Sequence, residues 1–208
     1  MPSVTRRTRP RREQRRAAME RSLLAATERL MAAGLAFTEI SVDRLATEAG
    51  ISRATFYVYF SDKGHLLRLL ARHVLADLGA STEPSGERDA AAVLGTIRRI
   101  IAVFRAHQRL LTAVVETAGY DAGVAAEYRD IHATIAARFR ATIERDQAAG
   151  LIRPLPAVET AAALTWMVER TCHQTLGEAS PEADERLARA LSELVWGGLY
   201  LRPLNAAD

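Results

Sequence analysis

Cysteine, aromatic residues and long apolar runs are all scarce in this chain, and each scarcity removes a class of protein. The single cysteine, Cys172, excludes an internal disulfide framework and fits a reducing compartment. No apolar run reaches the ~18 to 20 residues of a membrane span, and the arginine-rich N-terminus lacks the apolar core of a signal peptide. A soluble, cytoplasmic protein is expected. Aromatic residues make up only 6% of the 208 residues, Thr-Val-Ile alternation is sparse, and Ala, Leu and Arg abound, which together point to an all-α fold. Catalytic signatures are missing as well, with no H-E-x-x-H, P-loop, Rossmann glycine run or G-x-S-x-G elbow. Cys172 and His173 are neighbours, but adjacent helical side chains diverge by about 100°, a poor arrangement for a nucleophile and its base. Neither enzymatic activity nor a metal or cofactor is expected.

What is present is organised around residues 41 to 63, SVDRLATEAGISRATFYVYFSDK. Ser41 is a good N-cap, and Asp43 falls in the first turn, where the helix dipole favours an acid. Val42, Leu45, Ala46 and Ala49 recur at helical spacing and leave Arg44, Thr47 and Glu48 wet. Gly50 ends this helix and Ser52 caps another two residues later, which is helix-turn-helix spacing. On the second helix Phe56 and Phe60 point to a core, and Ala54 leaves room for close packing. The opposite face carries Arg53, Thr55, Tyr57 and Tyr59, a set suited to phosphate and base-edge contacts in a major groove. A helical hairpin with a polar surface is the alternative.

The ordered run Ala46, Ala49, Gly50, Ile51, Ser52, Ala54, Thr55, Phe56, Tyr57, Tyr59, Phe60, Lys63 and Leu66 resembles the DNA-binding segment of the tetracycline-repressor (TetR) family. Ala54 and Tyr59 replace the commoner glycine and histidine. The resemblance implies contacts to double-stranded DNA from Arg44, Ser52, Arg53, Thr55, Tyr57, Tyr59 and Lys63, the last to a phosphate. Lys63 is the only lysine among 28 Lys plus Arg. Gly64 weakens the first turn of the next helix. Residues 1 to 73 carry 14 basic and 7 acidic side chains, a net of +7, whereas residues 74 to 208 carry 14 and 18, a net of −4. Such a split suits a basic DNA-contacting head and a body that stays off the DNA.

Residues 1 to 12 read as a disordered basic arm whose Arg6, Arg7, Arg9, Arg11 and Arg12 can lie along phosphates or enter a minor groove. Residues 13 to 78 read as the head with its linking helix. Met19, Leu23, Leu24, Ala26, Thr27, Leu30 and Met31 stripe a supporting helix, and Phe37 and Ile40 fill the gap behind it. A fourth helix, from Asp62 through Leu78, joins head to body as a transmission lever. Residues 79 to 88, rich in small and polar side chains, mark a boundary. From 88 to 208, helices at about 88 to 107, 109 to 119, 121 to 149, 156 to 177 and 181 to 201 form a ligand-binding and dimerisation body. Gly197 and Gly198 weaken the last helix by ~1 kcal/mol each, which close approach of another helix offsets. It and the helix at 156 to 177 are expected to pair with their copies as a four-helix homodimer interface, a simple helix end near Trp196 being the alternative.

Ile97, Ile100, Ile101, Val103 and Phe104 cover a broad arc of the first body helix, and Ile131, Ile135, Phe139 and Ile143 stripe the third. Such helices either close into a core or surround an elongated apolar cavity. In TWMVERTCH, residues 165 to 173, Glu169, Cys172 and His173 lie one turn apart on a helix otherwise lined by Leu164, Met167 and Val168. Either their polar atoms face an apolar interior, or Glu169 pairs with an arginine such as Arg170 of the partner subunit while His173 is solvated. Glu169, Arg170 and Thr171, with Trp196 and Tyr200, are similar to one branch of the TetR family that holds its ligand in a long apolar tunnel. That resemblance implies a pocket lined by Ile97, Ile100, Phe104, His132, Ile135, Phe139, Thr165, Glu169, Cys172 and Trp196. Thr165 and Val168 stand where that branch has ligand-holding amides. The expected protein is a homodimeric transcriptional regulator, a repressor on a near-palindromic operator, released by a small apolar effector ligand. The alternative is a ligand-independent DNA-binding regulator or scaffold whose body binds another protein.

Overall fold

The computed structural model describes residues 8–81, 89–177 and 180–200, and among these it contains nine α-helices and no strand. The helix-turn-helix forms where its caps dictate. Ser41 Oγ accepts from the Arg44 N–H at 3.2 Å and starts α2, Val42–Glu48. Gly50, at φ +70°, closes that helix, with its N–H donating to the Thr47 carbonyl and the Ile51 N–H donating to the Ala46 carbonyl. A side chain at this left-handed position would strain the closure. Ser52 Oγ then accepts from the Thr55 N–H at 3.0 Å and starts α3, Arg53–Tyr59.

These two helices rest on α1, Thr8–Ala32, and are followed by α4, Lys63–Ser81, with a single 3-10 turn at Phe37–Glu39 between α1 and α2. Helix α1 starts inside the stretch expected to be disordered. Pro10 falls in its first turn, where no intrahelical N–H bond is required, and arginine is a good helix former. Arg6 and Arg7 lie outside the described residues, as does most of the expected boundary at 79 to 88.

The body comprises α5 Ala90–Ala106, α6 Gln108–Ala118, α7 Ala122–Ala148, α8 Ala157–Thr175 and α9 Pro181–Leu199, each within two residues of its predicted ends. Asp89, Asp121 and Ser180 cap α5, α7 and α9 by accepting from the N–H groups of Ala92, Val124 and Ala183. Between α5 and α6 the chain turns at His107, whose Nδ1 lies 2.6 Å from Glu28 Oε1 of α1.

Two apolar clusters hold the molecule together, and they do not divide at the head–body boundary. The first joins Leu23, Phe37, Ile40, Leu45, Phe56 and Phe60 to Leu66, Leu67, Leu70 and Val74 of α4, and continues into Leu110, Val114 and Val124 of α6 and α7. The second gathers Ile97, Ile101 and Phe104 of α5 with Ile143, Cys172, Leu191, Val195 and Leu199, and takes in Leu78 near the end of α4. Helix α4 therefore belongs to both. Gly64 lets it approach α7 closely, since a β-carbon there would stand 2.7 Å from Asp121 Oδ2.

Candidate functional site

The exposed side of α3 is narrower and more apolar than its polar residues suggest. Arg53, Ala54, Tyr57 and Val58 face solvent, with Tyr57 47% and Val58 76% exposed. The Arg53 Nη1 donates to Asp43 Oδ2 of α2 at 2.5 Å, and its guanidinium lies 5.5 Å from the centre of the Tyr57 ring. Arg44 of α2 is exposed beside this face. Three expectations need correction. Ala54 is not a packing residue but part of the solvent face. Tyr59, three residues after the buried Phe56, shares its inward arc and packs partly buried against the head core. Thr55 is half-buried, and the Ser52 and Thr55 hydroxyls lie 2.8 Å apart in a mutual hydrogen bond. Val58 escaped sequence reasoning, although its place four residues after Ala54 and opposite the Phe56–Phe60 edge marks it as outward.

Lys63 is committed within the head. Its ammonium donates to the carbonyls of Phe37, Thr38 and Ile40 at 3.0, 3.0 and 2.8 Å. An ammonium has three donors, and all three are engaged in this arrangement. Partial burial lowers the Lys63 pKa, and the three carbonyls oppose that by favouring the charged form. The lone lysine thus clamps the loop after α1 onto the start of α4, a task invisible to local spacing because its partners lie 23 to 26 residues earlier.

Beneath α4 lies a cavity of about 250 Å³ walled by six helices. Ala71 and Leu78 of α4 border it, with Ile97, Ile100 and Phe104 from α5, Leu111 and Val114 from α6, Ile131, Ile135 and Phe139 from α7, Leu164 and Val168 from α8, and Val195 and Leu199 from α9. It is elongated: Tyr128 and Asp146, both in its wall, are 18 residues apart on α7, about 27 Å at the helical rise. Ile97, Ile100, Phe104, His132, Ile135, Phe139, Thr165 and Glu169, which the family resemblance implied as pocket residues, all line it. Cys172 and Trp196 do not. Cys172 is sealed in the second core, where burial pushes its thiol pKa up to about 12. Trp196 stacks 4.1 Å from Tyr200, and it is Tyr200 that forms the wall.

One end of the cavity is polar and aromatic. The Tyr128 hydroxyl donates to Glu169 Oε1 at 2.7 Å, and burial raises the phenol pKa well above its ordinary value. His132 stacks on Trp166 with centroids 4.0 Å apart and meets the edge of Tyr128 at 4.4 Å. Arg138, Asp146 and Tyr200 stand towards the other end. Tyr128 was missed because a phenol reads as a wet residue, although it continues the Ile131–Ile135–Phe139 stripe by one turn. Outside the cavity, α8 and α9 expose Val158, Trp166 and Leu194.

Comparison with known proteins follows the same division. Residues 23–70 match the bacterial regulatory proteins of the tetR family, and residues 93–200 match the C-terminal domain of transcriptional regulator EthR. The HTH-type transcriptional regulator EthR of Mycolicibacterium smegmatis is 32% identical over 193 residues, covering 87% of this chain and 86% of its own. EthR of Mycobacterium tuberculosis is 34% identical over 183 residues, covering 85% and 83%. Among solved structures, one described as a TetR-family transcriptional regulator from Syntrophomonas wolfei superposes with a TM-score of 0.72 over 91% of this chain and 98% of its own, at 16% identity. At that identity the likeness is one of fold.

Proposed function

Since the chain belongs to the TetR family of bacterial transcriptional regulators, we propose that it is a homodimeric repressor of a near-palindromic operator, released by a small apolar ligand held in its body. The observation that carries release is the position of α4. Its first half is buried in the head core with Phe56 and Phe60, while Ala71 and Leu78 border the cavity. A molecule filling that cavity acts directly on the helix that carries the head. Two heads must meet successive major-groove faces ~34 to 36 Å apart, so a small rotation of α4 in each copy spoils the fit. Moving such an equilibrium from 1:99 to 99:1 requires a preference of ~5.5 kcal/mol, comparable to burying ~220 Å² of apolar surface.

Arg44, Arg53, Ala54, Tyr57 and Val58 are the side chains proposed to meet DNA, the arginines at phosphates or base edges and Val58 at thymine methyls. Dimerisation is supported by the exposed Val158, Trp166 and Leu194 on α8 and α9, apolar groups that a second copy would cover. The test is fluorescence anisotropy on DNA from beside the chain's own gene, with a scrambled duplex as control and over a salt series. Specific binding with a steep salt slope is expected, and Val168→Phe, which fills the cavity from α8, should weaken it without unfolding the protein. Equal, weak binding to both duplexes would count against the operator reading, and full affinity in the filled variant against release.

A further inference from the structure

The polar end of the cavity has an uneven inventory of hydrogen-bonding groups. Tyr128, His132 and Thr165, the wall residues at this end, each spend a donor within the protein. The Tyr128 hydroxyl donates to Glu169 Oε1 at 2.7 Å, His132 Nδ1–H to the Tyr128 carbonyl at 2.8 Å, and the Thr165 hydroxyl to the Ala161 carbonyl at 2.8 Å. What remains is acceptors. His132 spends its Nδ1–H on the Tyr128 carbonyl and turns Nε2 to the other side of its ring, and the hydroxyl oxygens of Tyr128 and Thr165 keep their lone pairs. Glu169 keeps the most. Its Oε2 is buried and accepts no hydrogen bond, and Arg170 Nε stands 3.9 Å away, beyond hydrogen-bond reach. An enclosed carboxylate oxygen without a donor is destabilising, and a ligand that supplies the donor relieves it.

We infer that the effector is a cationic amphiphile, a protonated primary or secondary amine that donates to Glu169, with an apolar tail lying along Ile100, Ile135 and Phe139. This rests on the reading of the cavity as an effector site and specifies the head group that the site selects. An anionic head would face the Glu169 carboxylate with no free donor to meet it. A neutral alcohol can donate to the carboxylate too, but only a cationic head adds the Coulombic attraction of opposite charges in an enclosed site. The Tyr128 ring, set T-shaped against His132 of the His132–Trp166 stack, adds an aromatic surface that attracts cations and not anions. Arg138 lies on α7 ten residues beyond Tyr128, about 15 Å along the helix, so the nearer cation is Arg170, whose side chain is 44% exposed and screened by solvent.

Isothermal titration calorimetry with decylamine, decan-1-ol and decanoate, each below its micelle concentration, tests this. Decylamine should bind the unaltered protein at least about tenfold tighter than decan-1-ol, and decanoate weakest. Glu169→Gln retains the size of the side chain and an acceptor for Tyr128; it should bring decylamine down to the level of decan-1-ol, whose own affinity stays within about twofold and reports an intact cavity. Tyr128→Phe frees Oε1 as a further acceptor and should preserve the advantage of decylamine, so the inference stays testable should Glu169→Gln fail to fold. Decylamine no tighter than decan-1-ol, or an advantage that survives Glu169→Gln, overturns the inference, while the effector reading stands if decan-1-ol still loosens DNA. If none of the three binds, both fall together.

Discussion

Lys63 in the head and Glu169 in the body are both charged side chains turned inward, and they are satisfied to different degrees. Lys63 gives all three of its donors to the carbonyls of the loop after α1. Glu169 receives a single phenol and leaves its second oxygen unmet. Packing repeats the difference: Phe56, Leu66, Leu67 and Leu70 are fully enclosed in the head, whereas six helices of the body and linker leave about 250 Å³ unfilled. A DNA reader must present its surface in one arrangement, so saturation serves it. A sensor works by differential occupancy, and only unfilled space or unmet groups give a ligand something to favour in one state over another.

The largest effect expected of this difference is on core truncation. Phe56→Ala should destabilise by about 3–5 kcal/mol, because a filled site cannot collapse around the loss. Ile135→Ala, beside space already empty, should lose only about 1 kcal/mol. Urea unfolding of the two variants compares them directly, and equal losses would erase the distinction between a filled head and an unfilled body.

Next in size is Lys63→Met, which removes three charge-assisted hydrogen bonds from a half-buried site and should lower stability by about 2–3 kcal/mol. The family resemblance implied a phosphate contact for this residue. That role has a different signature, a salt slope of DNA binding reduced by about one with stability little changed. Measuring both quantities on one variant decides between the clamp and the contact.

These two residues also show what spacing can and cannot reveal. The caps at Ser41 and Ser52 and the turn at Gly50 were legible because each acts on backbone within a few residues. So were the cavity stripes of α5 and α7, since helical periodicity groups Ile97, Ile100 and Phe104, or Ile135 and Phe139, on one arc whatever lies opposite. Cys172 and Trp196 were misplaced because the rotation of α8 and α9 about their own axes is set by tertiary contacts, which turn Cys172 into the second core and put Tyr200 in the wall in place of Trp196. The Lys63 clamp was hidden for a similar reason, its partners being a loop two helices away. Tyr59 went astray because a phenol one turn from Phe56 was read by its polarity and not by its position.

Smaller again, and confined to function, is Tyr57→Ala. The ring is half exposed on α3 and stacks under Arg53, so stability should change by less than about 1 kcal/mol. Affinity for the preferred duplex should nevertheless fall by about tenfold, the loss typical of one base-reading contact. Anisotropy and unfolding measured side by side separate the two, and a variant that lost stability without losing affinity would move Tyr57 from the reading face to the core.

The smallest expected effect bears most directly on the unmet acid. Replacing both members of a buried polar pair by apolar groups of similar shape is often neutral or stabilising, whereas removing one member alone strands the other. Tyr128→Phe combined with Glu169→Leu removes the phenol, the carboxylate and its unsatisfied oxygen together. In the absence of ligand the double variant should therefore be more stable than the unaltered chain, by about 1 kcal/mol. Glu169→Leu alone should gain less, because the Tyr128 hydroxyl then loses its acceptor. A thermal unfolding series over the two single variants and the double one isolates the coupling between them. If the double variant is instead less stable, the Tyr128–Glu169 pair is a structural support of the body like Lys63 in the head, and the cavity's acid is not held open for a ligand.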